Sequence, residues 1–122
     1  MHNNHSIFVI PILALTCLLP GISMAEAWGW MKQSPVSHFT PEDKQIMRKT
    51  ARDALDNAKD GIKIGWENPE TGHSGSVKPI NTTQRDGQTC RKTRFFNSAE
   101  SLTAIQIHRL CRQKDGTWKI DK

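Results

Sequence analysis

"IKIGWENPETGHSGSVKPI", residues 62–80, admits two readings that lead to different folds. In one, "GHSGS" (72–76) approximates the serine-hydrolase elbow G-x-S-x-G, and Ser74 is a nucleophile lifted above a parallel sheet. In the other, the stretch is a β-hairpin. Ile62, Ile64 and Trp66 alternate with Lys63, Gly65 and Glu67, the period of a half-buried strand. "NPETG" is turn chemistry, because Pro69 presets φ and Gly72 permits a positive φ. His73 to Ile80 then reads as the return strand. Gly75 marks a bulge or a close approach, and Pro79 places that strand at an edge or near its end. The elbow fails on context. Ser76 stands where the final glycine belongs, "SVKPI" is β-like, and no helix follows. Asp86 and His108 come after Ser74 in the order a triad requires, but so short a chain has no room for the α/β sheet.

Upstream, Thr40 to Ala58 reads as an amphipathic helix. Thr40 can cap it, Pro41 suits the first helical position, and Glu42 and Asp43 face its positive end. Ile46, Met47, Thr50, Ala51, Ala54, Leu55 and Ala58 recur at steps of three and four. Gly61 is expected to end it. Downstream, "NTTQRDG" (81–87) reads as a loop, Gln88 to Phe96 as a strand and "NSAES" (97–101) as a turn. Leu102 to Arg112 follows as a strand with Ile105 and Ile107 on one face. "QKDG" turns again, and "TWKI" closes the chain with Trp118 and Ile120 on one side.

The first 25 residues contain no Lys, Arg, Asp or Glu. Ile7 to Leu19 is nearly all apolar, Pro20 and Gly21 break the run, and "SMA" ends it at Ala25. This is the pattern of a signal peptide cleaved after Ala25. "ALTC" offers a second possibility, lipidation at Cys17, although Ala14 and Thr16 replace the usual lipobox residues. Residues 26–39 read as a linker in which Gly29, Ser34 and Pro35 argue against helix or strand. Trp28 and Trp30 belong either to a flexible tail or to a segment that docks on a membrane interface or on the domain.

Cleavage after Ala25 leaves Cys90 and Cys111, an even count in an exported chain, which predicts a disulfide. A hairpin about "NSAES" brings the two opposite each other within a few residues, with a bulge or longer loop needed for exact register. The spacing does not suit a metal: there is no C-x-x-C, and His108 precedes Cys111 without a second such pair. Seventeen basic and twelve acidic residues give a net charge of +5. That charge favours an anionic envelope component such as lipopolysaccharide, lipid or an acidic protein. The basic residues form no run and no aromatic ladder accompanies them, which argues against nucleic acid. His38, His73 and His108 have no motif partner, and Glu67 and Glu70 merely flank a turn. No cofactor or metal is expected.

Trp66 through Pro79, "GQTCR" at 87–91 and "CRQKDGTWKI" at 111–120 together resemble the C-terminal domain of the rickettsial-type 17-kilodalton surface antigen family of bacterial outer-membrane lipoproteins. The features that carry the resemblance are Trp66, Asn68, Pro69, Thr71, Gly72, Gly75, Cys90, Arg91, Cys111, Arg112, Asp115, Gly116 and Trp118, in that order, within roughly residues 42–121. The resemblance implies an antigenic protein of the Gram-negative envelope, often lipid-anchored at the outer membrane, with no established catalytic residues. The sequence departs from the family pattern in lacking a glycine zipper before the domain and in its poor lipobox.

The expected fold class is α+β, one N-terminal amphipathic helix packed on a four- to five-stranded antiparallel sheet. The expected organisation is a signal peptide over 1–25, a linker over 26–39 and a domain over 40–122. The expected function is a non-catalytic, exported envelope protein with a structural or binding role. The alternatives are a soluble periplasmic or secreted binding or inhibitor module, and a small hydrolase using Ser74 and His73.

Overall fold

The computed structural model describes residues 34–121. The expected signal peptide, Cys17, Trp28 and Trp30 lie outside the described residues. A short 3-10 helix (Pro35–His38) leads into α1 (Pro41–Asn57). Five strands follow: β1 (Ile64–Glu67), β2 (Ser74–Arg85), β3 (Gln88–Ala99), β4 (Leu102–Arg112) and β5 (Trp118–Ile120). They form one antiparallel sheet in the order β1-β2-β3-β4-β5, each strand bonded to its neighbour in sequence. Among the described residues no helix is long and apolar enough to cross a membrane.

Helix α1 starts where its caps predict. Thr40 Oγ1 accepts from the Asp43 N–H at 3.1 Å, and Asp43 Oδ2 accepts from the Thr40 N–H at 2.8 Å, a reciprocal capping box. Ala54 and Leu55 of the apolar stripe are buried, and the helix contacts β1 and β2. Its end differs from expectation. The cap is Ala58, in extended conformation, and Gly61 lies beyond it with φ +88°. No glycine turns the chain at the C-cap, so the last carbonyls need another partner.

The expected linker over 26–39 reaches the described residues at Ser34, and there the chain is ordered against the sheet. Pro35 is buried, and Phe39 is 6% exposed in a cluster with Trp66 and Ala99. The Phe39 and Trp66 rings meet edge to face, centroids 5.2 Å apart. An apolar aromatic just before a helix cap is well placed to fold back onto the core, which Pro35 does not prevent.

The hairpins are tighter than the sequence suggested. "NTTQRDG" is strand rather than loop up to Arg85, and Asp86 (φ 52°) and Gly87 (φ 75°) make the two-residue turn. Positive φ at both central residues matches the twist of a hairpin, and Asp-Gly is a favoured pair for it. "NSAES" is likewise strand up to Ala99, and the turn is Glu100 (φ 60°) and Ser101. That tightening sets the register, because with Ala99 opposite Leu102, Cys90 falls directly opposite Cys111. Neither a bulge nor a longer loop is needed there. The bulge lies instead in β2, between Pro79 and Asn81. Pro79 sits within the second of five strands, not on an outer one. Its carbonyl accepts from Gly61 N–H on the side away from β3, past the end of β1, so its missing donor costs no bond to β3.

The Cys90–Cys111 disulfide joins β3 and β4 across 21 residues of sequence. Closing a loop of this length contributes about 3 kcal/mol by chain entropy. Reduction under non-denaturing conditions is therefore expected to lower the melting temperature by about 12–24 °C. Calorimetry of oxidised and reduced protein checks this, and equal melting temperatures would contradict it.

Candidate functional site

The sheet has two faces of different character, and alternation along the strands assigns each residue to one of them. The face toward α1 carries Trp66, Val77, Arg91, Thr93, Ala99 and Leu110, all buried. The same face carries Trp118, whose indole Nε1 donates to Asp56 Oδ1 of α1 at 2.8 Å.

Two polar joints connect this face to the helix. In the first, Asp43 is fully buried and its carboxylate is a hub. It accepts from Asn68 Nδ2, Thr71 Oγ1 and His73 Nδ1 at 2.7–2.8 Å, besides the Thr40 N–H. The 68–72 turn is shaped to present these donors. Asn68 Oδ1 accepts from Glu70 N–H, Asn68 O accepts from Gly72 N–H, and Gly72 has φ +74°. Burial pushes the Asp43 carboxyl up, but the bonds from His73, Thr40, Thr71 and Asn68 outweigh it and hold the group well below the usual carboxylate range. The hydrogen bond to Asp43 raises His73 above its ordinary value, against the opposing effect of burial; Glu100, 3.6 Å from Nε2, adds to the rise. Phe39 stacks on the His73 ring.

In the second joint, Arg91 reaches from β3 to the C-terminal end of α1. Nη1 donates to Ala54 O and Leu55 O, and Nη2 to Ala58 O and Asp60 Oδ1. Nε donates to Thr82 Oγ1. These are the carbonyls that Gly61 was expected to serve. Arg112 adds a longer contact, 4.0 Å, to the Asp56 carboxylate that also receives Trp118.

These geometries place the motif residues in structural positions. Trp66 is in the core. Asn68, Pro69 and Gly72 form the turn that faces Asp43. Gly75 lies where a Cβ would run into the Phe96 carbonyl and the Trp66 indole. Asp115 accepts from the N–H and hydroxyl of Thr117 in the β4–β5 turn, and Gly116 there has φ +86°. Ser74 opens β2, paired with Glu67 and Ser98, and its strand runs on into a hairpin rather than a helix. His73 precedes it with its ring nitrogens toward Asp43 and Glu100. Asp86 is at the far end of β2, and His108 Nε2 lies 3.2 Å from Gln106. The structure thus brings Asp43 and His73 together but does not assemble Ser74, Asp86 and His108. No sequence motif marks Asp43 as a hub; only its place in the first turn of the helix is legible.

The other face carries Lys78, Arg85, Lys92, Arg94, Arg109 and Lys119. Glu67 is the one carboxylate on these strand positions. Arg109 has an ion pair with Asp121 at 3.6 Å, whereas the other five cations have none among the described residues. This face is not uniformly polar. Ile105 and Ile107 are 55% and 52% exposed, beside half-buried Phe96. The result is an apolar centre bordered by cations. Among the described residues no group of three or more His, Cys, Asp or Glu side chains converges on a common point.

A family model described as "17 kDa outer membrane surface antigen" matches residues 53–119, from the last turns of α1 to β5. The 17 kDa surface antigen of Rickettsia prowazekii (strain Madrid E) is 34% identical over 83 residues, 65% of this chain and 50% of the relative. That of Rickettsia conorii is 32% identical over 80 residues, with the same coverage, and that of Rickettsia bellii is 29% identical over 80 residues. The chain spans about half the length of these curated relatives. No solved structure matches it.

Proposed function

From the premise that this chain belongs to the 17 kDa outer membrane surface antigen family, we propose that it is an exported, non-catalytic domain of the bacterial cell envelope. Its role is to hold a phosphate-bearing envelope amphiphile, a lipid headgroup or the phosphates of lipopolysaccharide, against its open sheet face. The observation that carries this reading is the charge of that face: six cations stand against one carboxylate, around two exposed isoleucines. Each cation near an anionic membrane surface contributes about 1 kcal/mol, and the isoleucines add apolar contact. The polar joints behind the sheet fix it to the helix and leave this face open.

Vesicle co-sedimentation tests the reading. Binding is expected to vesicles containing phosphatidylglycerol or lipid A, to weaken with salt, and to be lost on purely phosphatidylcholine vesicles. Lys92→Glu with Arg94→Glu is expected to lower affinity by at least tenfold, since two favourable contributions become repulsive. Equal binding to neutral and anionic vesicles would contradict the reading. So would recovery of the protein from the cytoplasmic fraction of cells, because the proposed site requires export.

A further inference from the structure

Strand β4 is paired with β3 along nearly all its length but with β5 only at its end. Leu110, Cys111 and Arg112 face Ile120, Lys119 and Trp118, and Arg109 O accepts from Asp121 N–H at 2.8 Å. Backbone direction alternates along a strand, so the Arg109 bond shows which way its neighbours point. The N–H and C=O groups of Thr103, Ile105 and Ile107 are directed away from β3, and among the described residues no strand pairs with them. Open edges are ordinarily guarded by Lys, Pro, a bulge or a charge. Leu102 to His108, "LTAIQIH", contains no Lys, Arg, Asp, Glu or Pro, and its pairing with β3 is regular. The Glu100–Ser101 turn bounds the open stretch on one side and the Arg109–Asp121 bond on the other, so its centre is Ile105.

We propose that this edge pairs with the same edge of a second copy of the chain, β4 antiparallel to β4, about a two-fold axis at Ile105. The choice of a second copy follows from the symmetry of the open stretch. With Ile105 opposite Ile105 of the other copy, Thr103 stands opposite Ile107 and both ends fit. The three outward N–H and three outward C=O groups of each copy then all find partners. A copy's strand leaves the ladder at its own Glu100–Ser101 turn, where β5 of the other copy begins. The exposed Ile105 side chains meet each other on one face, each Ile107 lies diagonally across from the other copy's Ile105, and no like charges are placed directly opposite each other. The interface is isologous and closes on itself. It joins two five-stranded sheets into one and places two basic faces in a common plane. The interface is small beside ordinary stable ones, so the association is reversible.

The test uses the exported chain with its disulfide intact. Antiparallel residues that exchange hydrogen bonds lie about 5.5 Å apart at Cα, within reach of a disulfide. Ile105→Cys is therefore expected to oxidise to a covalent dimer, with the native bridge confirmed by intact mass. Thr103→Cys alone meets its counterpart only across about 14 Å, four residues along the strand, and is expected to cross-link at least tenfold less. An equal mixture of Thr103→Cys and Ile107→Cys is expected to link. By sedimentation equilibrium, Ile105→Lys, at an exposed position, is expected to weaken the dimer at least tenfold. Added salt is expected to strengthen the dimer, since both copies are positive, while it weakens binding to anionic vesicles. The two readings can therefore fail separately. A wild-type chain that stays monomeric across a concentration series would overturn the proposal, including one whose edge amides are protected by its own N-terminal segment or by another protein. Equal cross-linking at positions 103 and 105, or an Ile105→Lys dimer of unchanged strength, would also overturn it.

Discussion

Arg91→Ala is expected to lower the unfolding free energy by about 4 kcal/mol, the range seen when one partner of a buried ionic network is removed. The guanidinium is 6% exposed as part of its residue and makes bonds to three carbonyls at the end of α1, to Asp60 and to Thr82. Alanine removes the side-chain donors of Leu55 O and Ala58 O and leaves Ala54 O only its bond from Ala58 N–H, and the helix has no basic residue in its own last turn to replace them. It also removes the positive charge from the negative end of the helix. Arg91→Lys is expected to recover only part of the loss, because one ammonium cannot divide its donors as the planar fork does. Urea denaturation measures both variants. A midpoint for Arg91→Ala within error of wild type would show that water serves the carbonyls equally well.

Asp43→Ala is expected to cost a similar amount, about 3–5 kcal/mol. It removes the common acceptor of the Thr40 N–H and of the Asn68, Thr71 and His73 side chains, inside a site that excludes water. Asp43→Asn is expected to be nearly as harmful, since its amide turns a donor toward donors. The pair also sets a pH dependence. The Asp43 carboxyl is depressed, so its contribution is present above the ordinary carboxylate value of 3.8 and is lost as pH falls below it. The His73 imidazole is raised, so its contribution is fully present below the ordinary value of 6.5 and is lost as pH rises through its folded value. Stability from this pair is therefore greatest between those ordinary values and declines on both sides. On the alkaline side the decline is the smaller, because neutral His73 still donates Nδ1–H to the carboxylate. Melting temperatures from pH 3 to pH 9 test this, with Asp43→Asn expected to flatten the profile. A wild-type profile as flat as that of the variant would contradict it.

Much of the fold was legible because it rests on short-range rules. Thr40, Pro41 and Asp43 place the start of α1 within one turn of the helix, and Ile64 and Trp66 mark a strand by alternation. The turn chemistry of Asn68 to Gly72 distinguished a hairpin from a nucleophile elbow. Errors arose where two local signals compete. The polar run Asn81 to Arg85 reads as loop and hides Asp86-Gly87, whose two residues suffice to turn the chain, and Asn97 to Ala99 lack the apolar character that would extend β3. Each misplaced turn shifts the register, which is why Cys90 and Cys111 seemed to need a bulge.

By itself the sequence determined the α+β class, the order of elements, the helix cap and the pairing of Cys90 with Cys111. These follow from dihedral preferences, from side-chain periods of 3.6 and 2, and from a parity of cysteines, all of which act over a few residues or need no distance at all. Only the tertiary structure decided that Phe39 belongs to the core, that Asp43 and His73 form a buried pair 30 residues apart, and that Arg91 closes a helix 33 to 37 residues before it. It also decided that β4 keeps an open edge beside a basic face. The physical reason is the same in each case. A buried donor or acceptor takes whichever partner the chain folds within 3 Å of it, and that choice depends on strand register and on where the helix lies, which no local propensity encodes.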